Sequence, residues 1–119
     1  FGIFRFTLAP KPPSSDTTPN LLDAKAVSYL GEKYAVFMPA HDHMPELTDN
    51  NAANPCAMIL ASTMLLNHIG LNSYADKIEN ALVQTLNEGW HICNNLEQPS
   101  VDNKALGTTE FTQKVVEIL

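Results

Sequence analysis

Positive charge is scarce in this chain, and arginine is scarcer still. Lys and Arg together number 7 against 13 Asp and Glu, for a formal net charge of −6 over 119 residues, and Arg5 is the only arginine. Nucleic-acid phosphates are gripped by clustered cations, so this scatter excludes a nucleic-acid partner. Cys56 and Cys93 are the only cysteines. They lack metal-ligand spacing and are too few for a disulfide scaffold, which leaves two reduced thiols. The longest apolar block, Ala57 to Leu66, is broken by Ser62 and Thr63. A membrane helix needs about 20 apolar residues, so no span is expected. The chain opens on Phe1, not Met, which reads as a polypeptide processed, cleaved or built as part of something longer. No basic presequence remains to show its destination.

What is present is organised by its punctuation. Residues 1–20 join an aromatic start (Phe1, Ile3, Phe4, Phe6, Leu8) to a stretch in which Pro10, Pro12, Pro13 and Pro19 deny a helix or a central strand. This predicts an extended N-terminal arm over 1–20, with a short strand of the same domain as its alternative. Residues 21–119 form the remaining unit. Within it, 21–33 has no clean period, and Asn20 or Asp23 suggests a turn of helix through Val27 and Tyr29. Tyr34 to Phe37 is a short branched and aromatic run that predicts a buried strand ended by Pro39. A polar loop, 40–53, carries His41, Asp42, His43 and Glu46.

Asn54-Pro55 is a strong helix start, because Asn accepts a first-turn N–H and Pro has no N–H to leave unpaired. The spacing predicts a helix over 55–69 stopped by Gly70. Its residues are apolar on nearly every face, so it should have neighbours on more than one side. A second helix, 73–88, places Ala75, Ile78, Leu82 and Leu86 on one stripe and stops at Gly89. A third, 108–119, begins at Gly107-Thr108 with Glu110 in its first turn. Met58, Met64, Trp90, Phe111 and His68 read as core. A metal reading of His41, Asp42, His43 and Glu46 and a Cys93–His91 nucleophile pair are the sharper alternatives. Neither has the spacing or third group such chemistry uses.

The order of these pieces resembles the isocitrate/isopropylmalate dehydrogenase family. Its adenosine-binding corner reads close to F-E-x-x-H-G-[ST]-A-P-D-[IL]-A-G-K-x-x-A-N-P-x-A. Phe37, Pro39, His41, Pro45, Leu47, Ala53, Asn54, Pro55 and Ala57 fall in register with it. Met64 to Gly70 and Thr108-Thr109-Glu110-Phe111 continue the similarity, which covers about residues 30–119. The wording is closest to the regulatory-type subunits of mitochondrial NAD-dependent isocitrate dehydrogenase. The resemblance implies an α/β fold, the C-terminal part of a dehydrogenase-like domain, mostly helical with one short core strand.

For the site, the resemblance implies cofactor-binding roles at His41 (adenine), Glu46 (ribose hydroxyls) and Asn54 (adenine edge). Asp42 stands where the family has Gly, Met38 where it has a cofactor-facing Glu, and Asp49 and Asn50 where it has Gly and Lys. A carboxylate at Asp42 opposes an anionic ligand by about 4 kcal/mol at 4 Å and surface-like dielectric. The implied site is therefore vestigial: no cofactor is expected to bind firmly, and NAD, ADP or AMP only weakly. The family's arginine clamp, proton-handling Tyr and Lys, and metal-binding aspartates lie in other segments, so no catalytic or metal-ligating residue is assigned here.

The functional expectation is a non-catalytic, divergent subunit acting through protein contacts in the mitochondrial matrix, its partner a catalytic dehydrogenase subunit. A structural accessory subunit of a larger mitochondrial or cytoskeletal complex, and a fragment of an active NAD-dependent isocitrate dehydrogenase, are the alternatives.

Overall fold

Three helices and two small sheets make up the fold, in a computed structural model that describes residues 25–40, 44–47, 49–93 and 100–119, and residues 2–7 as backbone. Strands β1 (Gly2–Thr7), β2 (Lys25–Leu30) and β3 (Ala35–Pro39) form an antiparallel sheet in that order. Then come a 3-10 turn (Pro45–Leu47), α1 (Cys56–His68), α2 (Asn72–Asn87), the short strands β4 (His91–Ile92) and β5 (Ala105–Leu106), which pair in parallel, and α3 (Thr108–Ile118).

The sheet corrects one local reading. Residues 25–30, expected within a turn of helix, are a strand whose residues pair one by one with β3: Val27 opposes Met38, and Ser28 opposes Phe37. Lys25–Leu30 holds Ala, Val, Ser, Tyr and Leu, a composition that a pleated, half-buried surface accepts once partners lie on both sides. Those partners are β3 and, through the Phe4↔Ser28 register, β1. Gly2–Thr7 is thus paired along β2. Residues 8–20 of the expected arm lie outside the described residues. The sheet side bearing Ala26, Ser28 and Phe37 packs on α1, with Ala26 fully buried and Phe37 partly so. The other side carries Tyr29, Val36 and Met38, which are exposed, and Val27, which is buried.

The helices follow their predicted limits closely. Asn54 Oδ1 accepts the Cys56 N–H at 2.9 Å, while Pro55 offers its carbonyl to Ile59 at 3.0 Å. At the far end, Gly70 takes φ 83°, Leu71 N–H reaches Leu66 O and Gly70 N–H reaches Asn67 O. That pair of bonds is the Schellman termination, which requires a left-handed residue and so favours glycine. Gly89 repeats it for α2 at φ 91°, with Trp90 N–H on Thr85 O and Gly89 N–H on Leu86 O.

The core gathers Ala26 from the sheet, Cys56, Leu60 and Ala61 from α1, Ala81 and Leu82 from α2, Leu106 from β5, and Phe111 and Val115 from α3. Small residues at Ala61 and Ala81 let helices approach closely, and Phe111 fills the space between them with no exposed surface. Helix α1 therefore lies between the sheet and α2, as its all-round apolarity requires. Its third side is left exposed among the described residues. Met58, Ser62, Leu65 and Ile69 recur at helical spacing and are all exposed, so Met58 is a surface residue and not core as its apolarity suggested.

Candidate functional site

The loop between β3 and α1 is where the sequence placed its candidate chemistry. Glu46 sits in the Pro45–Leu47 turn and is exposed; its backbone carbonyl accepts Asn50 Nδ2 at 2.6 Å. Two residues then take left-handed backbone, Asp49 at φ 63° and Asn51 at φ 51°. Asp and Asn enter that region more readily than other side chains because a short polar group bonds locally. The chain reverses there and delivers Asn54 to the start of α1. His41 and Asp42 lie outside the described residues, so no geometry links them to Glu46 or Asn54.

Asn54 is exposed and spends Oδ1 on the Cys56 cap. This leaves its NH2 as the group with which it could address a base. Glu46 offers a carboxylate suited to hydroxyls. The loop contains no Lys or Arg from Ala40 to Ala53, and the Cys56 N–H at the head of α1 is already taken. Among its described candidate residues the site thus offers one carboxylate acceptor, Glu46, and one amide donor, Asn54, and no Lys or Arg cation.

A second set of contacts ties the loop to α3. Asn51 O accepts the Thr108 N–H at 2.9 Å and Asn51 Oδ1 accepts the Thr109 N–H at 2.9 Å. Asn51 Nδ2 donates to Glu110 Oε2 at 2.8 Å, and Thr108 Oγ1 donates to Ala53 O at 2.5 Å. A Cβ at Gly107 would run into Asn51 Nδ2 and Glu110 Oε2, so a side chain there would push that pair aside. The Asn51 hydrogen bond, followed by Glu110's own backbone N–H, holds the Glu110 carboxyl below its ordinary range. Sequence reasoning missed Asn51. The signals that could have raised it were the Asp49-Asn50-Asn51 run, typical of left-handed turns, and the Thr-Thr-Glu helix start that offers N–H groups to cap.

The other candidates are dispersed. His68, read as core, is exposed, with its ring 5.4 Å from that of Phe37 at 52°. With Ser28, Leu30, Met64 and Asn67 they line an open concavity of ≈ 240 Å³ at the C-terminal end of α1. His91 Nδ1 lies 3.2 Å from Gly89 O. Cys56 and Cys93 are both buried free thiols, and burial pushes the Cys56 thiol up to about 12. Trp90 is only partly buried; its Nε1 donates to Glu88 at 3.2 Å, and Lys104 and Lys114 lie over its ring. Among the described residues no three His, Cys, Asp or Glu side chains are placed to hold a metal.

Comparison with known proteins settles the ancestry of this loop and its helices. Residues 21–115 match the isocitrate/isopropylmalate dehydrogenase family. The chain belongs to that family. It is 41% identical over 88 residues to mitochondrial isocitrate dehydrogenase [NAD] subunit 1 of Saccharomyces cerevisiae, covering 73% of this chain and 23% of that protein. Similarity to the 3-isopropylmalate dehydrogenase of Methanothermobacter thermautotrophicus is 42% over 86 residues, covering 72% and 24%. In three dimensions it matches the crystal structure of isocitrate dehydrogenase from Methylococcus capsulatus with a TM-score of 0.68 at 31% identity, over 79% of this chain and 26% of that one. The fold is therefore a piece of the isocitrate dehydrogenase fold, and this family member spans about a quarter of the length of the relatives it matches. No helix among the described residues is long and apolar enough to cross a membrane.

Proposed function

We propose that this chain is a non-catalytic, divergent isocitrate dehydrogenase-like subunit that works through protein contacts and keeps at most a vestigial adenine-nucleotide site. The observation that carries the reading is the open side of α1. Met58, Leu65 and Ile69 are 56%, 44% and 57% exposed, although this helix is the centre of the fold. Val36 and Met38, on the side of the sheet away from α1, are 53% and 45% exposed. Apolar side chains left exposed at helical spacing along a central helix support a contact with another protein surface.

The chemistry of the loop supports the absence of catalysis. Arg5 is the only arginine, so the residues present cannot assemble a cluster to hold a tricarboxylate. Asp42 and Met38 replace the family's glycine and cofactor-facing glutamate. His41, Glu46 and Asn54 remain as the adenine-nucleotide remnant, with NAD, ADP or AMP as weak ligands. The partner is a catalytic dehydrogenase subunit, and the mitochondrial names of yeast relatives such as isocitrate dehydrogenase [NAD] subunits 1 and 2 support a matrix location. The quarter-length coverage favours a second reading, a piece of an active NAD-dependent enzyme.

The deciding experiment is the mass and subunit composition of the native particle that contains this chain. A dehydrogenase partner with the chain itself inactive supports the first reading. Isocitrate oxidation that resides in a longer form of this polypeptide supports the second, and an unrelated assembly overturns both in favour of an architectural subunit.

A further inference from the structure

We propose that Asn51 is the positioning residue of the β3–α1 loop. It latches residues 49–53 to the first turn of α3, so that the attitude of Glu46 and Asn54 is set by a helix more than fifty positions downstream. A helix leaves its first N–H groups without intrahelical partners. The residue at the N-cap of α3, Gly107, has no side chain to cap it. Asn51 supplies the cap from a distance, its backbone carbonyl on Thr108 N–H and its Oδ1 on Thr109 N–H.

The amide NH2 is used as well: Asn51 Nδ2 donates one hydrogen bond to Glu110 Oε2 at 2.8 Å. Thr108 returns a bond to Ala53 O, one residue before the Asn54 that caps α1. The loop is thus fixed at the heads of two helices by two asparagines three positions apart. Gly107 completes the fit, because any side chain there would displace the Asn51–Glu110 pair. The backbone of Asn51 is left-handed, so a residue there must both tolerate positive φ and carry an acceptor and a donor. Asparagine meets all three demands. Glycine meets only the first, and aspartate lacks the donor.

A consequence follows for the loop's occupant. Whatever loads the loop is felt at residues 107–110, and whatever moves α3 resets the loop. That consequence for a nucleotide rests on the reading of the loop as an adenine-nucleotide remnant; the latch itself does not.

The test is hydrogen–deuterium exchange of the native assembly containing the full chain, read on peptides covering 44–53, 107–112 and 72–87. Asn51→Gly keeps the positive φ and removes both side-chain bonds. It should speed exchange in 44–53 and 107–112 together by on the order of tenfold, with 72–87 unchanged. Asn51→Asp should be as disruptive, since it sets two carboxylates against each other. Asn51→Asp combined with Glu110→Gln keeps the acceptor for Thr109, removes the repulsion and remakes the second bond with its donor direction reversed, and should recover protection to within about twofold of the wild type. Unchanged exchange at 107–112 in Asn51→Gly, equal acceleration of all three peptides, or no recovery in the double variant would each overturn the proposal. Failure of ADP to protect 44–53 in the wild type counts against the nucleotide reading alone and leaves these outcomes standing.

Discussion

Phe37 and His68 hold their rings 5.4 Å apart at an interplanar angle of 52°, joining β3 to the last turn of α1. Phe37 also packs against the core, whereas His68 is exposed. The two residues should therefore contribute unequally. Phe37→Ala should destabilise the fold by about 2–3 kcal/mol, below the full cost of a completely buried Phe. His68→Ala should cost less than about 1 kcal/mol. Urea denaturation of the two variants measures both, and equal losses would show that the ring contact, not burial, is what matters.

Glu110 gives the latch a pH dependence with a definite sign. Its folded carboxyl is held below the ordinary range, so its contribution is fully present above the unfolded value of about 4.3 and is lost as pH falls through the folded value. Wild-type stability should decline below about pH 4.3 more steeply than that of Glu110→Gln, whose amide cannot titrate. Parallel profiles for the two proteins in thermal melts carried from neutral pH to well below about pH 4.3 would refute this.

The buried Cys56 thiol makes the opposite prediction on the alkaline side. Its pKa is pushed up to about 12, mainly by desolvation, against an unfolded value of about 8.5. The group contributes nothing pH-dependent below about 8.5, and stability is lost as pH rises from there toward about 12. Cys56 should also resist thiol reagents at neutral pH until the fold opens, with labelling rates that follow denaturant concentration. Prompt labelling of native protein at Cys56 would contradict its burial.

The open side of α1 can be tested without disturbing the core. Met58→Lys and Leu65→Lys replace exposed side chains, so the stability of this unit should change by no more than about 0.5 kcal/mol. Affinity for the partner subunit should fall by about tenfold or more if the stripe is central to the contact. Co-purification and denaturation separate the two effects; retained co-purification with both lysines in place would exclude this face as the interface.

The nucleotide remnant should be nearly silent. Calorimetry with NAD, ADP and AMP at micromolar concentration is expected to show no binding by the native assembly through this loop. Asp42→Gly removes a charge worth roughly 4 kcal/mol at contact before screening, and should raise affinity measurably if His41, Glu46 and Asn54 still address adenosine. Tight binding by the unaltered chain would overturn the vestigial reading.

The helices were determined by the sequence itself. Asn54-Pro55, Gly70 and Gly89 are local signals whose physics involves residues within one turn, and the stripe of Ala75, Ile78, Leu82 and Leu86 needs no knowledge of its partner. The adenosine-corner wording was equally local, which is why membership of the family could be read before any fold was seen. The second strand was decided only by tertiary structure. Lys25–Leu30 has a weak period, and its conformation depends on ladders to β1 and β3 that local preference does not encode. The exposure of Met58 and His68 was decided there as well, because a helix apolar all round does not say which of its sides will be left uncovered. Asn51 is the clearest case: its role depends on N–H groups at Thr108 and Thr109 that only the folded chain brings to it.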